Sequence, residues 1–296
     1  MKRFRILHFF SLCVLLIFCC TACQNTTATT PNTAQNDISL DTIAPPVPSA
    51  PLTPSTSTAP PTESSPNEDI WDVSDIPNTA VAKGKKYIAF SFDDAPGKTL
   101  EPLLGVFIAF NEQHPDCPAS ATLFCNGIRC TASTLQSLQT AHLIGFEMGN
   151  HTQSHVDLTK LNGADLQREI QQTDKLLCAI DGKPHHLFRA PFGCVNEMVR
   201  AAAPTPIISW TIDTLDWTRV SAEHIYQSVW NGRFDGAIVL LHDGYPNTVT
   251  AVKRLLPDLY ADGYQVLSIS ALSKANACPL KKGSVYIRAR KNGNAR

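Results

Sequence analysis

Residues 87–96 have the sequence YIAFSFDDAP, in which a mostly apolar run leads directly into two adjacent aspartates and a proline. The aromatic and apolar composition of Tyr87–Phe92 is typical of a buried β-strand. Asp93 and Asp94 then lie where this strand ends. The rest of the fold and the candidate site can be predicted outward from this strand and its two carboxylates.

Further short apolar runs alternate with helix-like stretches along the chain. Besides Tyr87–Phe92, the predicted strands are Ala121–Cys125, Phe146–Asn150, His186–Arg189, Ile207–Ile212, Ala237–Leu241 and Tyr264–Ser268. The predicted helices lie around Pro102–Asn111, Thr131–Thr140, Gly163–Asp181, Asn196–Ala203, Ala222–Asn231 and Thr248–Asp262. Strict alternation of strands and helices predicts an α/β fold with a parallel sheet, either open or closed into a barrel.

The N-terminal residues 1–22 have the layout of a signal peptide. Basic residues precede an apolar stretch, and the small residues Thr21 and Ala22 come directly before Cys23. This ending resembles a bacterial lipobox, although Cys20 stands where lipoboxes usually carry Leu. We therefore expect Cys23 to be lipidated and to anchor the protein to the outer face of the bacterial cell membrane. Ordinary signal cleavage and a retained anchor are the alternatives.

The segment 23–69 is predicted to be a disordered linker, because it consists mainly of Thr, Pro, Ser, Ala and Asn. A segment with so few large apolar residues buries too little surface to offset its ordering entropy. One catalytic domain is expected over 70–275, followed by a basic C-terminal tail over 276–296. The linker would lift this domain off the membrane.

Composition disfavours two further classes of site. The formal net charge is −1 and no basic stripe is interleaved with aromatic residues, so nucleic-acid binding is not expected. No CxxC pair occurs among the six cysteines beyond the leader, which argues against a structural zinc site. The six cysteines are Cys117, Cys125, Cys130, Cys178, Cys194 and Cys278. Export permits disulfides between them, but the connectivity does not follow from sequence.

We expect the protein to be a monomer.

Acids, histidines and an arginine follow five of the predicted strands. They are Asp93 and Asp94, His151 and His155, Arg189, Asp213, and His242. Because the carboxyl ends of parallel strands meet at one edge of a barrel, these side chains are expected to lie together. Packing does not explain charged residues at five such positions. The other histidines His185, His186 and His224 match no motif and are expected at the surface or at strand ends.

His151 and His155 have the spacing of a metal-binding pair. Four residues apart on a helical turn, two imidazoles share one face and can bind one metal ion. Zinc proteases of the HExxH type carry a glutamate after the first histidine as the base, whereas this chain has Thr152 there. The base must therefore come from elsewhere. In the pair Asp93 and Asp94, one carboxylate can complete a metal site while the other accepts a proton. Considered without the other motifs, however, two adjacent aspartates are equally typical of a solvated turn.

The segments SFDDAP, NHTQSH, FRAPFG, TIDTLDW and VLLH, in this order, resemble the five motifs of the polysaccharide deacetylases, carbohydrate esterases that share the nodulation-protein homology domain. The resemblance covers about residues 86–270. It implies a deformed (β/α) barrel of about seven parallel strands, a divalent metal, usually Zn²⁺, and hydrolysis of acetyl groups on a carbohydrate polymer. Ser91, Ala95 and Phe192 depart from the common Thr, Gly and Tyr, and a positive φ at Ala95 would be strained.

By the same resemblance, Asp94, His151 and His155 would bind the metal. Three protein ligands leave coordination positions for water and for the acetyl oxygen, and the metal would lower the pKa of that water. Asp93 would act as the general base. Arg189 would hold this carboxylate ionised and oriented.

The resemblance also makes His242 the general acid that protonates the leaving amine. The motif favours Asp213 as the carboxylate that supports this histidine, and Asp216 is the alternative. The expected substrate contacts are the backbone N–H of Phe192 at the oxyanion and the apolar walls Trp217 and Leu240.

The motifs identify the acetyl group rather than the polymer that carries it. The anchor and linker favour peptidoglycan, at N-acetylglucosamine or N-acetylmuramic acid residues. An O-acetyl xylan esterase and a chitin-type deacetylase are alternatives with the same mechanism. A non-catalytic carbohydrate-binding lipoprotein is an alternative of a different class, which the intact Asp93 and His242 argue against.

Overall fold

The computed structural model describes residues 70–73 and 80–290. The predicted signal peptide (1–22), the lipidation site Cys23 and the linker (23–69) lie outside the described residues. Within the described ranges, no helix has both the length and the apolar composition that crossing a membrane requires.

Nine strands and seven α-helices are present in this part of the chain. The strands are β1 (Lys86–Ala95), β2 (Thr122–Cys125), β3 (Glu147–Asn150), β4 (Leu187–Phe188), β5 (Ile207–Ile208), β6 (Ile212–Asp213), β7 (Ala237–His242), β8 (Tyr264–Leu267) and β9 (Val285–Tyr286). The helices are α1 (Leu100–Gln113), α2 (Leu135–Leu143), α3 (Gly163–Asp181), α4 (Glu197–Ala202), α5 (Ala222–Gly232), α6 (Pro246–Ala261) and α7 (Ile269–Ala275). Helices therefore separate most successive strands.

The strands form one sheet in which every paired strand is parallel to its neighbour. The hydrogen-bonded order is β6-β7-β1-β2-β3-β4-β5-β9, and β8 also pairs with β1. Beyond β9, Arg288 makes an isolated antiparallel bridge to Ala237 at the start of β7. The C-terminal segment thus links the last strand of this order to a strand near the first. This arrangement confirms the predicted α/β class, a deformed (β/α) barrel.

The central strand β1 is buried on both of its faces. Phe90 and Phe92 pack in a large cluster with the buried sides of α1 and α6. Ala89, on the opposite face, belongs to a second cluster with residues from β2, β4, β5, β7 and β8, which fills the inside of the barrel. Burial on both faces explains why this strand is apolar at nearly every position. The packing holds its last residues, Asp93 and Asp94, in a fixed place.

The register of the sheet brings the candidate residues to one edge. Asp93 at the end of β1 is the direct partner of His242 at the end of β7. The last residues of β3 and β4 are also paired, so the residues that follow them, His151 and Arg189, are neighbours. Strand ends that are far apart in sequence therefore meet around one site.

The predicted strand Ile207–Ile212 is divided in the structure. Its first part, β5, pairs with β4 and β9, and its last part, β6, pairs with β7. Between them the backbone N–H of Ser209 donates to Tyr286, whereas that of Thr211 donates to Ile238. The chain divides because it crosses from one end of the sheet to the other.

The predicted boundary at residue 275 is wrong, because the chain after it belongs to the domain. Cys278, Leu280 and Tyr286 are buried, and β9 extends the sheet beside β5. The backbone N–H of Ala289 also donates to the carbonyl of Gly236. The basic residues of this segment suggested a solvated tail, but its apolar residues complete the inside of the barrel.

Candidate active site

A cavity of about 420 Å³ opens at the carboxyl ends of the strands. Nine of its lining residues were predicted from the sequence, namely Asp93, Asp94, His151, His155, Phe192, Asp213, Trp217, Leu240 and His242. The lining residues that were not predicted are Gly193, Trp210 and Tyr245. Trp210 and Tyr245 lie outside the motifs, where a single aromatic residue carries no sequence signal that distinguishes a cavity wall from ordinary packing. Gly193 ends the motif FRAPFG but has no side chain that would suggest a role.

Asp94, His151 and His155 form a cluster that fits a divalent metal ion. One carboxylate oxygen and one ring nitrogen from each histidine all lie within 4.8 Å of one another. Nδ1 of His151 lies 2.8 Å from the carbonyl oxygen of Arg189. A carbonyl oxygen can only accept, so Nδ1 carries the proton and Nε2 keeps its lone pair for a metal. Two imidazoles and a carboxylate are a common ligand set for a catalytic metal.

The two histidines do not lie on a helical turn, as their spacing had suggested. Residues 151–157 contain no helix, and Thr152 and His155 have φ values of 68° and 56°. These left-handed residues turn the backbone so that the two rings come within 5.0 Å, centroid to centroid. The side chain of Asn150 supports the turn by accepting from the N–H of Thr152. Strained backbone of this kind is often found at binding sites.

Positive φ in the first motif occurs at Asp94 (63°) and not at Ala95. The strain that a positive φ would have caused at Ala95 is therefore absent. The carbonyl of Asp94 accepts from the guanidinium of Arg129 at 3.0 Å, and the carbonyl of Ala95 accepts from the N–H of Asn126. The loop after β2 thus holds the backbone around this metal-ligand candidate.

Asp93 and Arg189 form a buried ion pair beneath the cavity. Oδ1 of Asp93 accepts from the guanidinium at 2.6 Å, and this guanidinium also donates to the carbonyls of Ile208 and Ser209. Burial raises the pKa of Asp93, but the charge of Arg189 and the nearby imidazoles outweigh it, so the net pKa is lowered. Asp93 is therefore held ionised, with Oδ2 left on the side of His151.

The carboxylate bonded to His242 is Asp216, the alternative that the sequence left open, and not Asp213, which the motif favoured. Oδ1 of Asp216 lies 2.7 Å from Nδ1 of His242, and its Oδ2 accepts from the backbone N–H of the same histidine and from Thr248. Burial lowers the pKa of His242, but the bond to Asp216 together with the charges of Asp93, Asp216 and Asp94 outweighs burial, and the net pKa is raised. The ring is thus oriented and kept ready to hold a proton.

Asp213 is exposed, and its carboxylate is bonded to its own chain rather than to His242. Its Oδ1 accepts from the backbone N–H of Leu215, two residues further on. Leu215 has a φ of 55°, and this left-handed residue redirects the chain so that Asp216 lies buried against the end of β7. Asp213 remains on the cavity wall, where it is available to a ligand rather than to the histidine.

The two predicted apolar walls, Trp217 and Leu240, line the cavity together with the side chain of Phe192, which was predicted to act through its backbone N–H. Trp217 and Phe192 are 52% and 65% exposed, whereas Leu240 is buried. The ring of Phe192 packs edge-on against His155 at 4.8 Å. Exposed aromatic rings beside a polar site provide flat apolar surfaces of the kind on which a sugar ring can stack.

A buried polar network that the sequence did not reveal supports the histidine loop from behind. His186 was expected at the surface or at a strand end, and it precedes β4 but is only 2% exposed. Its imidazole bonds to both Asp174 and Asp181. Asp174 accepts in turn from Asn150, the residue before the first metal-ligand candidate. The sequence signal for this network is the seven-residue spacing of Asp174 and Asp181, which puts both acids on one side of α3. The sequence does not show that the chain before β4 places His186 between them.

Comparison with proteins of known sequence agrees with this geometry. A family model for polysaccharide deacetylases matches residues 80–205. Peptidoglycan-N-acetylglucosamine deacetylase PgdA of Listeria monocytogenes is 31% identical over 200 residues, which cover 67% of this chain and 41% of PgdA. A peptidoglycan-N-acetylglucosamine deacetylase of Bacillus cereus is 32% identical over 200 residues, which cover 65% of this chain and 90% of that protein. The chain thus spans about two fifths of PgdA but most of the second relative.

Solved structures of similar proteins have the same architecture. Peptidoglycan deacetylase PdaC from Bacillus subtilis superposes with a TM-score of 0.61 at 28% identity, covering 67% of this chain and 94% of that one. The Xyl-CE4 domain of a multidomain xylanase from a termite hindgut metagenome superposes with a TM-score of 0.64 at 25% identity, covering 69% and 98%. Together with the motifs and their placement at the strand ends, these similarities show that the chain belongs to the polysaccharide deacetylase family.

Proposed function

We propose that the chain is a metal-dependent deacetylase that hydrolyses N-acetyl groups of peptidoglycan, at N-acetylglucosamine or N-acetylmuramic acid residues. The observation that carries the proposal is the pairing of Asp93 with His242 at the ends of β1 and β7, beside Asp94, His151 and His155. A carboxylate with a lowered pKa and an imidazole with a raised pKa line one cavity. Hydrolysis of an amide needs such a base and such an acid.

Asp93 is the general base in this proposal. A divalent metal ion, for which we propose Zn²⁺, would lower the pKa of a water molecule and polarise the acetyl oxygen when bound by Asp94, His151 and His155. Oδ1 of Asp93 is bonded to Arg189, so Oδ2 is the atom that accepts the proton of the water as it attacks the amide carbon. The ion pair keeps this carboxylate ionised before the attack.

His242 is the general acid. Its Nδ1 is bonded to Asp216, so Nε2 is the nitrogen that donates a proton to the leaving amine. An amine leaves poorly unless it is protonated, and the raised pKa of His242 keeps the donor charged. We further propose that the backbone N–H of Phe192 donates to the oxyanion.

The substrate and location are proposed from the relatives and from the N-terminal sequence. Two relatives act on peptidoglycan by name, PgdA on N-acetylglucosamine and PdaC of Bacillus subtilis on N-acetylmuramic acid. An exported lipoprotein anchored through Cys23, with a linker over 23–69, would reach the wall from the outer face of the membrane. We propose that it acts there as a monomer.

Other relatives support two alternatives. The bifunctional xylanase/deacetylase of Pseudobutyrivibrio xylanivorans and the chitooligosaccharide deacetylase of a Bradyrhizobium strain are both 29% identical to this chain, which keeps acetylxylan and chitin oligomers as candidate substrates. A solved relative at 28% identity is described as a pseudoenzyme with restored activity in a mutant. A non-catalytic, carbohydrate-binding protein is therefore the alternative of a different class.

Acetate release tests the proposal directly. The full-length chain, supplied with zinc, is incubated in parallel with purified peptidoglycan, chitin oligomers and acetylxylan, and acetate is measured enzymatically. We expect the fastest release from peptidoglycan and its loss in Asp93→Asn. The exposed Asp116, which precedes β2 at the opposite ends of the strands, provides the control Asp116→Asn, which should keep full activity. No acetate from any substrate would favour the non-catalytic alternative, and faster release from another polymer would reassign the substrate.

A further inference from the structure

Cys125 and Cys130 lie together at the end of β2. Cys125 is fully buried in the main hydrophobic cluster, and Cys130 is partly exposed and packs against the same cluster. The sulfur of Cys130 is 3.5 Å from the carbonyl oxygen of Asn126, the residue next to Cys125. Their side chains interact, and this interaction raises the pKa of the Cys125 thiol and lowers that of the Cys130 thiol. The chain therefore turns back on itself over residues 126–129 and brings one buried and one accessible thiol into contact.

The turn between the two cysteines holds the backbone of the metal-ligand candidates. On one side, the guanidinium of Arg129 donates to the carbonyl of Asp94. On the other, the side chain of Asn126 donates to the carbonyl of His151 at 2.8 Å. The N–H groups of residues 127 and 128 donate to the carbonyls of residues 152 and 153. Both ligand-bearing segments are thus hydrogen-bonded to one short turn with a cysteine at each end.

We propose that Cys125 and Cys130 are a modification site, a dithiol that a disulfide-bearing oxidant converts to an intramolecular disulfide around residues 126–129. The ring so formed fixes the turn, and with it the backbone at Asp94 and His151. This inference goes beyond the proposed hydrolysis and does not depend on it. The remaining cysteines of the described residues lie on separate elements, Cys117 and Cys278 in loops, Cys178 in α3 and Cys194 after a 3-10 turn.

The exchange needs only thiols and one disulfide. The thiolate of Cys130, which is the accessible partner, attacks one sulfur of the oxidant, the S–S bond breaks, and one oxidant thiolate leaves with the electron pair. Cys125 then loses its proton and attacks the sulfur of Cys130 in the mixed disulfide, which releases the second oxidant thiol. Two protein thiols are oxidised by two electrons, and one disulfide is reduced to two thiols.

The experiment uses the full-length chain, first reduced and then incubated with oxidised glutathione. Thiols are alkylated in denaturant, and the digested protein is examined by mass spectrometry. We expect Cys125 and Cys130 to escape alkylation and to be linked to each other, while Cys117, Cys178, Cys194 and Cys278 are alkylated. Undiminished alkylation of the pair, or linkage to another cysteine, would overturn the proposal.

Two variants test the order of attack. In Cys125→Ala the resolving thiol is missing, so glutathione should stay on Cys130 as a mixed disulfide. Cys194→Ala removes a thiol outside the turn and should still form the disulfide. Glutathione on none of the thiols in Cys125→Ala would show that Cys130 is not the attacking group and would also overturn the proposal.

The consequence for the turn is measured by thermal unfolding with a chelator present. Closing a ring of this size removes entropy from the unfolded chain, so the oxidised protein should unfold roughly 4–8 °C above the reduced protein. The difference should vanish in Cys130→Ser. An oxidised protein with an unchanged or lower midpoint would show that the ring does not fix the turn. Neither measurement involves turnover, so both remain informative if the proposed hydrolysis is wrong.

Discussion

Nδ1 of His242 and Oδ1 of Asp216 are 2.7 Å apart, and this contact orients the imidazole at the end of β7. The second oxygen of Asp216 accepts from the backbone of the same histidine and from Thr248. The carboxylate is therefore fixed on three sides before any substrate arrives. It orients the imidazole and helps to raise the pKa of His242.

Asp216→Asn should move the basic limb of the kcat/KM profile to lower pH by about 1 pH unit or more, because the contact with this carboxylate raises the pKa of His242. The acid must be protonated to act, so a lower pKa ends activity at a lower pH. Asp213→Asn is the matched control and should leave the limb in place. The measurement is acetate release from a soluble substrate across pH. An equal shift in both variants would contradict the assignment.

The choice between these two aspartates shows what sequence could not provide. Both lie within TIDTLDW, and nothing in the residue types says which one faces the histidine. The decision depends on the left-handed backbone at Leu215, which redirects the chain after Asp213 so that Asp216 contacts His242. Glycine or asparagine at this position would have suggested a left-handed conformation, whereas leucine does not.

Local signals predicted other elements well. Helix α3 begins and ends at the predicted residues, because Asn162 caps its first turn and Gly182 ends it in a left-handed conformation. The grouping of the strand-end side chains in one site could also be predicted, because the carboxyl ends of parallel strands lie at one edge of the sheet. By contrast, β9 could not be predicted from local sequence, because it has only two residues and forms through its pairing with β5.

The leaving group distinguishes a proton donor from a residue that only positions the substrate. His242→Ala should slow hydrolysis of an acetamide by roughly 10²–10⁴-fold, the usual value of a positioned acid. The same change should affect an acetyl ester of a phenol far less, because a phenolate leaves without protonation. Initial rates on the two substrates provide the comparison. If both fall equally, His242 supports binding or the metal site and another group is the acid.

Metal content and turnover should separate the two adjacent aspartates. Dialysis against a chelator should abolish acetate release, and one equivalent of zinc or cobalt should restore it. His151→Ala should lose bound metal, because it removes one of three ligands. Asp93→Asn should keep the metal and lose turnover. Metal is measured by atomic emission, with the exposed His224→Ala as control. Full activity without metal would rule out the metal-dependent mechanism. Loss of the metal in Asp93→Asn, with the metal kept in His151→Ala, would show that the roles of Asp93 and Asp94 are reversed.

Cys23→Ala tests the proposed anchor. Without the thiol no lipid can be attached, so the protein should move from the detergent-soluble membrane fraction into the medium or periplasm. Immunoblots of the fractions provide the measurement, and Cys20→Ala serves as a neighbouring control that keeps the acceptor thiol. A variant that still requires detergent would indicate a retained apolar anchor instead of a lipid.

Stability should fall between about pH 6.5 and 8 because of His186. Burial lowers the pKa of this imidazole, but its bonds to Asp174 and Asp181 raise it more, and the net pKa is about 8. A folded-state pKa above the unfolded value of roughly 6.5 means that the charged ring stabilises the fold fully below that pH. The contribution, about 2 kcal/mol, is lost as the pH rises through 8.

Urea unfolding of the metal-free chain at pH 6 and pH 9 measures this effect. His186→Gln should be less stable than the unsubstituted chain at pH 6, and the gap should narrow by about 2 kcal/mol at pH 9. His185→Gln is the control, since that half-exposed ring has only one carboxylate partner, at 3.3 Å. The other titrating groups are common to all three proteins and cancel in the difference. A gap that is equal at both pH values would show that His186 is neutral in the fold, and that Asp174 and Asp181 hold it by hydrogen bonds without its charge.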